Sequence, residues 1–318
     1  MAKVSIVIPC YNARDYITKC LDSLTRQSFK DFDVFLVNDC STDDTEAIIK
    51  EYVKKSLLDI HYIQNTVNSG PSLSRYYGAK ASTSEWVTFC DSDDWYEDAF
   101  LAHMIAQAEN EKCDIVFCGY QNVIGEKIDK HPLSDETKTY KAREAMYFNV
   151  DSLCMTLVKR SIYVATPQPD LRNGEDMALV PLLIQGATKV GVLDEVLYNY
   201  YIRPGSASLS PNEKMIDSLI KSFKHIDTYL TEQFTEEKEY LGIRNLIYGA
   251  LLNLFKYSYN TTKADLILSD FETKFPSWEK NKGISTLPLF KRVYVKCAKH
   301  RLYFMLFILS RFHSFMLK

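Results

Sequence analysis

The first 120 residues alternate short, almost wholly apolar runs with amphipathic stretches. This alternation restricts the chain to β-α units around a largely parallel sheet covered on both faces. The runs predicted as strands are Val4–Ile8, Val34–Val37, Ile60–Gln64, Trp86–Cys90 and Ile115–Tyr120. Between the first two, Ile17, Leu21 and Leu24 recur at spacings of four and three, which predicts a helix over Ala13–Gln27 with one buried face. Ser41 is expected to open a second helix, with Asp43 and Asp44 in its first turn. From about 121 to 160 the periodicity weakens around Pro132, and an irregular crossing segment is expected. Order returns at Glu175–Gln185 and Lys189–Tyr201. Beyond Pro211 two helical stripes follow: Met215, Leu219, Phe223, Ile226 and Leu230, then Leu246, Ala250, Leu254 and Tyr257. The chain of 318 residues is thus expected to divide into a catalytic-type domain at 1–210, a helical appendage at 211–280 and a basic tail at 281–318.

Charge is distributed unevenly. From position 280 onward there are nine Lys or Arg and no Asp or Glu; removing these nine from 38 basic residues leaves 29 against 41 acidic ones, a net of −12 over 1–279. Such a body repels phosphate over most of its surface, which disfavours a nucleic-acid partner. The eight cysteines contain no Cys-x-x-Cys and read as buried thiols rather than zinc ligands. The opening MAKVSIVIPCYN enters a β-branched run with no charged-then-apolar leader, so a reducing, cytoplasmic location is expected.

The segment richest in chemistry is Asp91-Ser92-Asp93-Asp94, directly after a predicted buried strand and so at a carboxyl end, where open α/β sheets bind ligands. In an extended chain residues i and i+2 share a direction, so Asp91 and Asp93 can present two carboxylates to one ligand. That pair needs a compensating cation or bound hydroxyls, and an oxygen-only site suits Mg²⁺ or Mn²⁺. A calcium loop counted from Asp91 needs Gly and Glu where Tyr96 and Ala102 stand. The plainer alternative is that Asp94 caps a helix after Trp95 and its neighbours are solvated. The first two strands also end in polar groups, Pro9-Cys10-Tyr11-Asn12 and Asn38-Asp39-Cys40-Ser41. Tyr11 can stack on a base and Asp39 can accept from a base N–H. The Asn68-Ser69-Gly70-Pro71 turn then leads to Arg75, a guanidinium able to meet phosphate.

Together, VSIVIPCYNARDYITKCLDSL, VNDCSTDDT and NSGPSLSRYYGAKASTSEWVTFCDSDDW resemble the nucleotide-sugar domain of the inverting glycosyltransferase family 2, of GT-A fold. The resemblance covers about residues 1–120 and extends weakly to about 210. It implies a Rossmann-like, mostly parallel sheet flanked by helices, with a C-terminal helical appendage. It further implies a nucleoside-diphosphate-sugar donor, usually a UDP-sugar, with Pro9, Tyr11 and Asn12 lining the base pocket, Asp39 holding uracil and Arg75 beside it. Asp91, flanked by Ser92, is implied to reach the ribose, and Asp93 to bind the Mn²⁺ or Mg²⁺ bridging the diphosphate. Asn38-Asp39-Cys40-Ser41 departs from the family's usual Asp-Asp-Gly-Ser, which puts the base identity in question.

In Asn173-Gly174-Glu175-Asp176-Met177, two acids after a turn glycine make a good helix start. The resemblance instead implies Asp176 as catalytic base, with Glu175 supporting it or positioning the acceptor. The run Tyr198–Ser208 resembles a Tyr-rich strand and Arg-x-x-Ser loop of capsule and exopolysaccharide members, in which Arg203 and Ser206 close over the diphosphate; a core strand and surface loop is the alternative. The expected reaction is transfer to a hydroxyl of a cell-surface glycan precursor, usually lipid-linked. The apolar run Leu302–Leu309 is too short to span a bilayer. With its basic surroundings it reads as a segment lying on an anionic membrane face, or else as a last helix packed on the appendage. Two other readings stand beside the enzyme: a sugar-nucleotide pyrophosphorylase, for which the glycine-rich phosphate loop is missing after Pro9, and a binding module without turnover.

Overall fold

The computed structural model describes residues 1–148, 150–203 and 213–316. They form two compact units, one of residues 1–172 and 179–204, the other of 173–178 and 205–318.

The first unit is built on one sheet whose strands, among the described residues, are β1 (Val4–Cys10), β2 (Phe32–Asn38), β3 (Ile60–Gln64), β4 (Trp86–Phe89), β5 (Trp95–Tyr96), β6 (Ile115–Ile124), β7 (Lys127–His131), β8 (Lys138–Lys141), β9 (Thr156–Lys159) and β10 (Lys189–Tyr201). Their order is β3-β2-β1-β4-β9-β6-β10-β5, with β7 paired to β6 and β8 to β10. The β1–β2, β1–β4 and β2–β3 pairs are parallel, as the apolar alternation predicts. Helices α1 (Ile17–Thr25), α2 (Thr45–Lys55), α3 (Gly70–Ala81), α4 (Phe100–Asn110), α5 (Ala142–Ala145), α6 (Arg160–Ala165) and α7 (Glu175–Gln185) complete the mixed α/β architecture. α3 lies close on the sheet because Gly78 has no side chain: a Cβ there falls 2.4 Å from Val7 Cγ1.

The register sets the position of the polar loops. Cys10 pairs with Asn38 and Asn38 with Gln64, so β1, β2 and β3 end level. The ladder runs on into the loops through Asp39 N–H to Cys10 O (2.8 Å) and Asn65 N–H to Asn38 O (2.9 Å). Cys90 N–H bonds to Val7 O, which brings the loop after β4 to the same edge.

Three local expectations change. The second helix begins at Thr45, not Ser41, because Ser41 N–H donates to Asn38 Oδ1, Thr42 N–H to Asn12 Oδ1 and Thr45 N–H to Asp43 Oδ1. Residues 41–44 thus tie two loops together before the helix starts. The stretch 121–160 is not irregular: β6 turns through Gly125 (φ +59°) into β7, and β8 and β9 follow. β7 and β8 are largely exposed, so they lack the apolar signal of a strand. Trp95 lies in β5, the helix that follows begins only at Phe100 with Ala99 before it, and Asp94 instead bonds to β10.

The second unit is helical: α8 (Glu213–Tyr229), α9 (Thr235–Gly242), a π-helical segment (Ile243–Ala250), α10 (Leu251–Tyr257), α11 (Thr261–Lys274), α12 (Leu289–Lys299) and α13 (Tyr303–Met316). Leu219, Phe223, Ile226 and Leu230 are buried as their spacing predicts. The second stripe keeps Leu246, Ala250 and Leu254 inside but exposes Tyr257, because a π turn carries more residues and rotates the face that follows it. Among the described residues no helix is long and apolar enough to cross a membrane. All eight cysteines are free thiols, seven of them buried.

Candidate active site

Three loops meet at the carboxyl edge of the first unit's sheet. The one after β1 carries Tyr11, about half exposed, and Asn12, held at φ +50°. The one after β2 carries Asp39 and Cys40, the latter at φ +61°. Left-handed backbone at two non-glycine residues is strain of the kind that collects at functional loops. Asn12 Oδ1 accepts from Thr42 N–H at 2.8 Å, and Asn12 N–H donates to Ser41 Oγ, which locks the two loops to each other. Pro9 sits within β1, paired with Val37.

Asp39 is buried and fully cradled. Its Oδ1 accepts from Asn65 Nδ2 (2.8 Å) and Ser69 N–H (2.7 Å), and its Oδ2 from Gly70 N–H (2.8 Å). Ser69 and Gly70 open α3, so the carboxylate satisfies two otherwise unpaired donors at the positive end of that helix. Gly70 adopts φ +82°, which a side chain disfavours. Asn65 is not a sequence candidate; the Asn-Ser-Gly-Pro turn that begins three residues further on is the nearest available signal.

Farther along α3, the buried Arg75 donates from Nη2 to Asp91 Oδ1 at 2.6 Å. The loop after β4 folds tightly, with Asp94 N–H bonded to Asp91 O, so Asp91, Ser92, Asp93 and Asp94 crowd together. Burial raises the Asp93 carboxyl above its ordinary 3.8, and the nearby Asp91 charge adds to the effect. Asp94 is pushed well above the same value by burial, then by Asp91 and Asp93. It accepts from Tyr198 OH and, at 2.7 Å, from Tyr201 N–H, which fixes β10 against the acidic loop. Arg203 Nε lies 3.4 Å from Asp93 Oδ2, and its guanidinium sits 5.4 Å from the Tyr16 ring centre. Beside them Lys19 Nζ stands 3.1 Å above the Trp95 ring, and burial lowers its pKa. Tyr16, Lys19 and Trp95 carried no sequence signal beyond their residue type.

Pro9, Tyr11, Asn12, Asp39, Arg75, Asp91, Ser92, Asp93 and Arg203 therefore all belong to the first unit, on or next to this edge. Glu175 and Asp176 open α7 within the second unit, Glu175 buried and Asp176 half-buried. Ser206 lies outside the described residues.

Three carboxylates, Asp91, Asp93 and Asp94, face two guanidinium groups, Arg75 and Arg203. The Arg203 contact is long for an ion pair with hydrogen bonding. An oxygen-rich set with surplus negative charge and a half-buried, poorly paired Asp93 fits a hard divalent cation. Among the described residues the His, Cys, Asp and Glu side chains that gather three ligand atoms within 4.8 Å of one another are a different set, Asp33, Asp59 and His61, at the amino ends of β2 and β3. There His61 Nε2 is 3.8 Å from Asp33 Oδ2 and 3.6 Å from Asp59 Oδ1. A cavity of about 850 Å³ lined by Thr18, Phe32, Ile48, Tyr52 and Asp59 opens at that same amino end, away from the acidic loop.

Residues 5–164, just over half of the chain, match the family model "Glycosyl transferase family 2". The chain belongs to this family. It is 28% identical over 268 residues to the glycosyltransferase GlyA of Streptococcus pneumoniae serotype 4, covering 79% of this chain and 38% of GlyA. It is 23% identical to the poly(ribitol-phosphate) β-N-acetylglucosaminyltransferase TarS of Staphylococcus aureus, covering 90% of this chain and 46% of TarS. The chain thus spans less than half the length of these two relatives. The crystal structure of S. aureus TarS 1–349 in complex with UDP-GlcNAc superposes with a TM-score of 0.70 at 23% identity, over 97% of this chain and 90% of that one. The fold is accordingly GT-A, with the mixed sheet and flanking helices described above.

Proposed function

We propose that this protein is a metal-dependent, inverting glycosyltransferase. It moves a sugar from a nucleoside diphosphate, most naturally UDP, to a hydroxyl of a lipid-linked cell-surface glycan precursor on the cytoplasmic face of the membrane. The observation that carries this reading is the convergence of Tyr11, Asp39, Arg75, Asp91 and Asp93 on one sheet edge within the family-matched residues. TarS, whose name records N-acetylglucosamine transfer to poly(ribitol-phosphate), gives the surface-glycan direction its support.

Each side chain has a role that its present bonds leave open. A carboxylate oxygen has two lone pairs; both on Asp39 Oδ1 are taken, while among the described residues Oδ2 accepts only from Gly70 N–H and retains one for a uracil N–H. Tyr11 offers an open ring face for the base. Arg75 orients Asp91 through its Oδ1 and leaves Oδ2 for the ribose hydroxyls. Asp93 and Asp91 would hold the cation, and Arg203 adds a donor for a phosphate oxygen. When bound, a divalent cation offsets the charge that develops on the leaving diphosphate. Asp176 takes the proton from the acceptor hydroxyl, whose oxygen attacks the anomeric carbon from the face opposite the diphosphate. The bond from that carbon to the phosphate oxygen breaks, and the diphosphate departs with the electron pair, inverting the centre. Glu175 supports Asp176 at the start of α7.

The test is nucleotide release by purified protein from a panel of UDP-, GDP- and dTDP-sugars, with Mn²⁺ or Mg²⁺ and again with chelator. Release of one nucleotide that stops with chelator is expected, along with loss of release in Asp93→Asn. Asp176→Asn is expected to bind donor normally and to transfer at least about a hundredfold more slowly. No release from any donor, together with no calorimetric donor binding, overturns the reading in favour of a protein without turnover.

A further inference from the structure

Helix α13 is amphipathic in the wrong sense for a helix facing water. Its exposed positions are Phe304, Met305, Ile308, Arg311, Phe312 and Phe315, a single stripe at helical spacing that holds three phenylalanines and one charge. Its inward positions include the polar Ser310, which is fully buried and shares a hydrogen bond with Tyr294 OH at 3.0 Å. Hydrophobic burial therefore leaves the more apolar face of the helix outside, and a patch of this kind marks a contact surface.

The charge nearby selects the partner. Among the described residues Arg292 and Lys296 of the neighbouring α12, and Arg311 of α13 itself, are exposed and form no ion pair with a carboxylate. The outward face of α12 adds Leu289 and Val293 between those cations. No acidic residue occurs from position 280 to the end. A second copy of this chain brings the same positive charge to the contact, whereas a bilayer with anionic head groups supplies both an apolar interior and the opposite sign. At 14 residues α13 is about 21 Å long, short of the ~30 Å hydrocarbon layer, so it can lie in the interface but not cross it.

We infer that α13 lies flat on an anionic lipid surface, with Phe304, Ile308, Phe312 and Phe315 inserted below the head groups and Arg292, Lys296 and Arg311 at their level. This stands apart from the sugar-transfer reading, because the contact needs no donor, metal or acceptor.

The experiment is flotation of the full chain with phosphatidylcholine vesicles, pure or containing about 30% phosphatidylglycerol. Binding to the anionic vesicles, and its loss in about 0.5 M salt, is expected. The triple variant Phe304→Ser, Ile308→Ser, Phe312→Ser should lower the partition roughly tenfold or more, and Arg292→Glu with Lys296→Glu should do so on anionic vesicles. All five side chains are exposed, so circular dichroism is expected to show both variants folded; should the triple variant unfold, the charge variant alone decides. Equal recovery with and without anionic lipid, or binding indifferent to these substitutions, overturns the inference. So does a dimer in sedimentation that Phe304→Ser and Phe312→Ser convert to monomer in a chain that ignores vesicles.

Discussion

Asp39 accepts three N–H donors before any ligand arrives. Asp39→Asn replaces one acceptor oxygen by an NH₂ and turns a donor against Gly70 N–H or against the Asn65 and Ser69 pair. An unsatisfied buried donor costs about 1–3 kcal/mol, so urea unfolding should show a loss in that range. Calorimetry should also show weaker UDP-sugar binding, since the remaining lone pair is lost with it; unchanged affinity removes Asp39 from the base pocket. Arg75→Met leaves Asp91 without its 2.6 Å partner while Asp91 keeps partial access to water. The expected destabilisation is about 2 kcal/mol, below the ~3–5 kcal/mol of a fully buried pair because Asp91 is partly exposed, and the same calorimetry reads the donor affinity. At this scale the three carboxylates of the Asp91–Asp94 loop and Asp39 stand out in the sequence as polar groups directly after buried strands, and the structure brings them to one sheet edge. Asn65 and Tyr198 do not stand out, because their partners are 26 and 104 positions away and only the closed fold brings them together.

Strands were legible where an apolar run marks them, whether the strand is fully buried like β1 and β2 or only half-buried like β3, which lies at its predicted bounds. β1, β2 and β4 are nearly all buried and stand where the apolar runs predict, β1 and β2 longer by a residue or two at some ends and β4 one residue shorter. β7 and β8, exposed on the margin of the sheet, left no period to read, and the π-helical segment broke a stripe that plain helical spacing would have continued. α13 yields a prediction of its own through His313, which packs near Phe290 with its Nδ1 buried and without a hydrogen bond among the described residues. Burial holds its pKa below the ordinary 6.5, and Lys256 and Lys291 push the same way. The unfolded helix therefore takes up a proton more readily than the docked one. Docking is fully supported above pH 6.5 and weakens as the pH falls through 6.5 toward the lower folded value. Hydrogen exchange of the α13 amides, corrected for intrinsic rates, should be faster at about pH 5.5 than at about pH 7.5, and His313→Phe should remove the difference. An unchanged ratio means that some other group sets the acid response of this helix.

The whole molecule divides into a sheet-based unit that carries the acidic loop and Asp39 and a helical unit that carries the apolar, basic surface of α12 and α13. The charge count divides the chain elsewhere, because the change from a body of −12 to a tail of +9 falls at position 280, inside the helical unit. The boundary itself was less legible, because the short segment Asn173–Ala178 belongs with the helices although its sequence neighbours on both sides belong with the sheet. Ser222 Oγ donates to Gly174 O at 2.7 Å, a bond between residues 48 positions apart that no local pattern announces. If donor binds only to the first unit, linkage confines its stabilisation there: a ligand at a hundred times its dissociation constant adds about 2.7 kcal/mol to whatever unfolding exposes its site. Hydrogen exchange with a UDP-sugar and Mn²⁺ should therefore slow the amides of β1, β2 and α3 by up to about a hundredfold and leave those of α10 to α13 unchanged. Equal slowing in both units means that they unfold as one cooperative body; slowing in the helices alone would move the donor site off the carboxyl edge altogether.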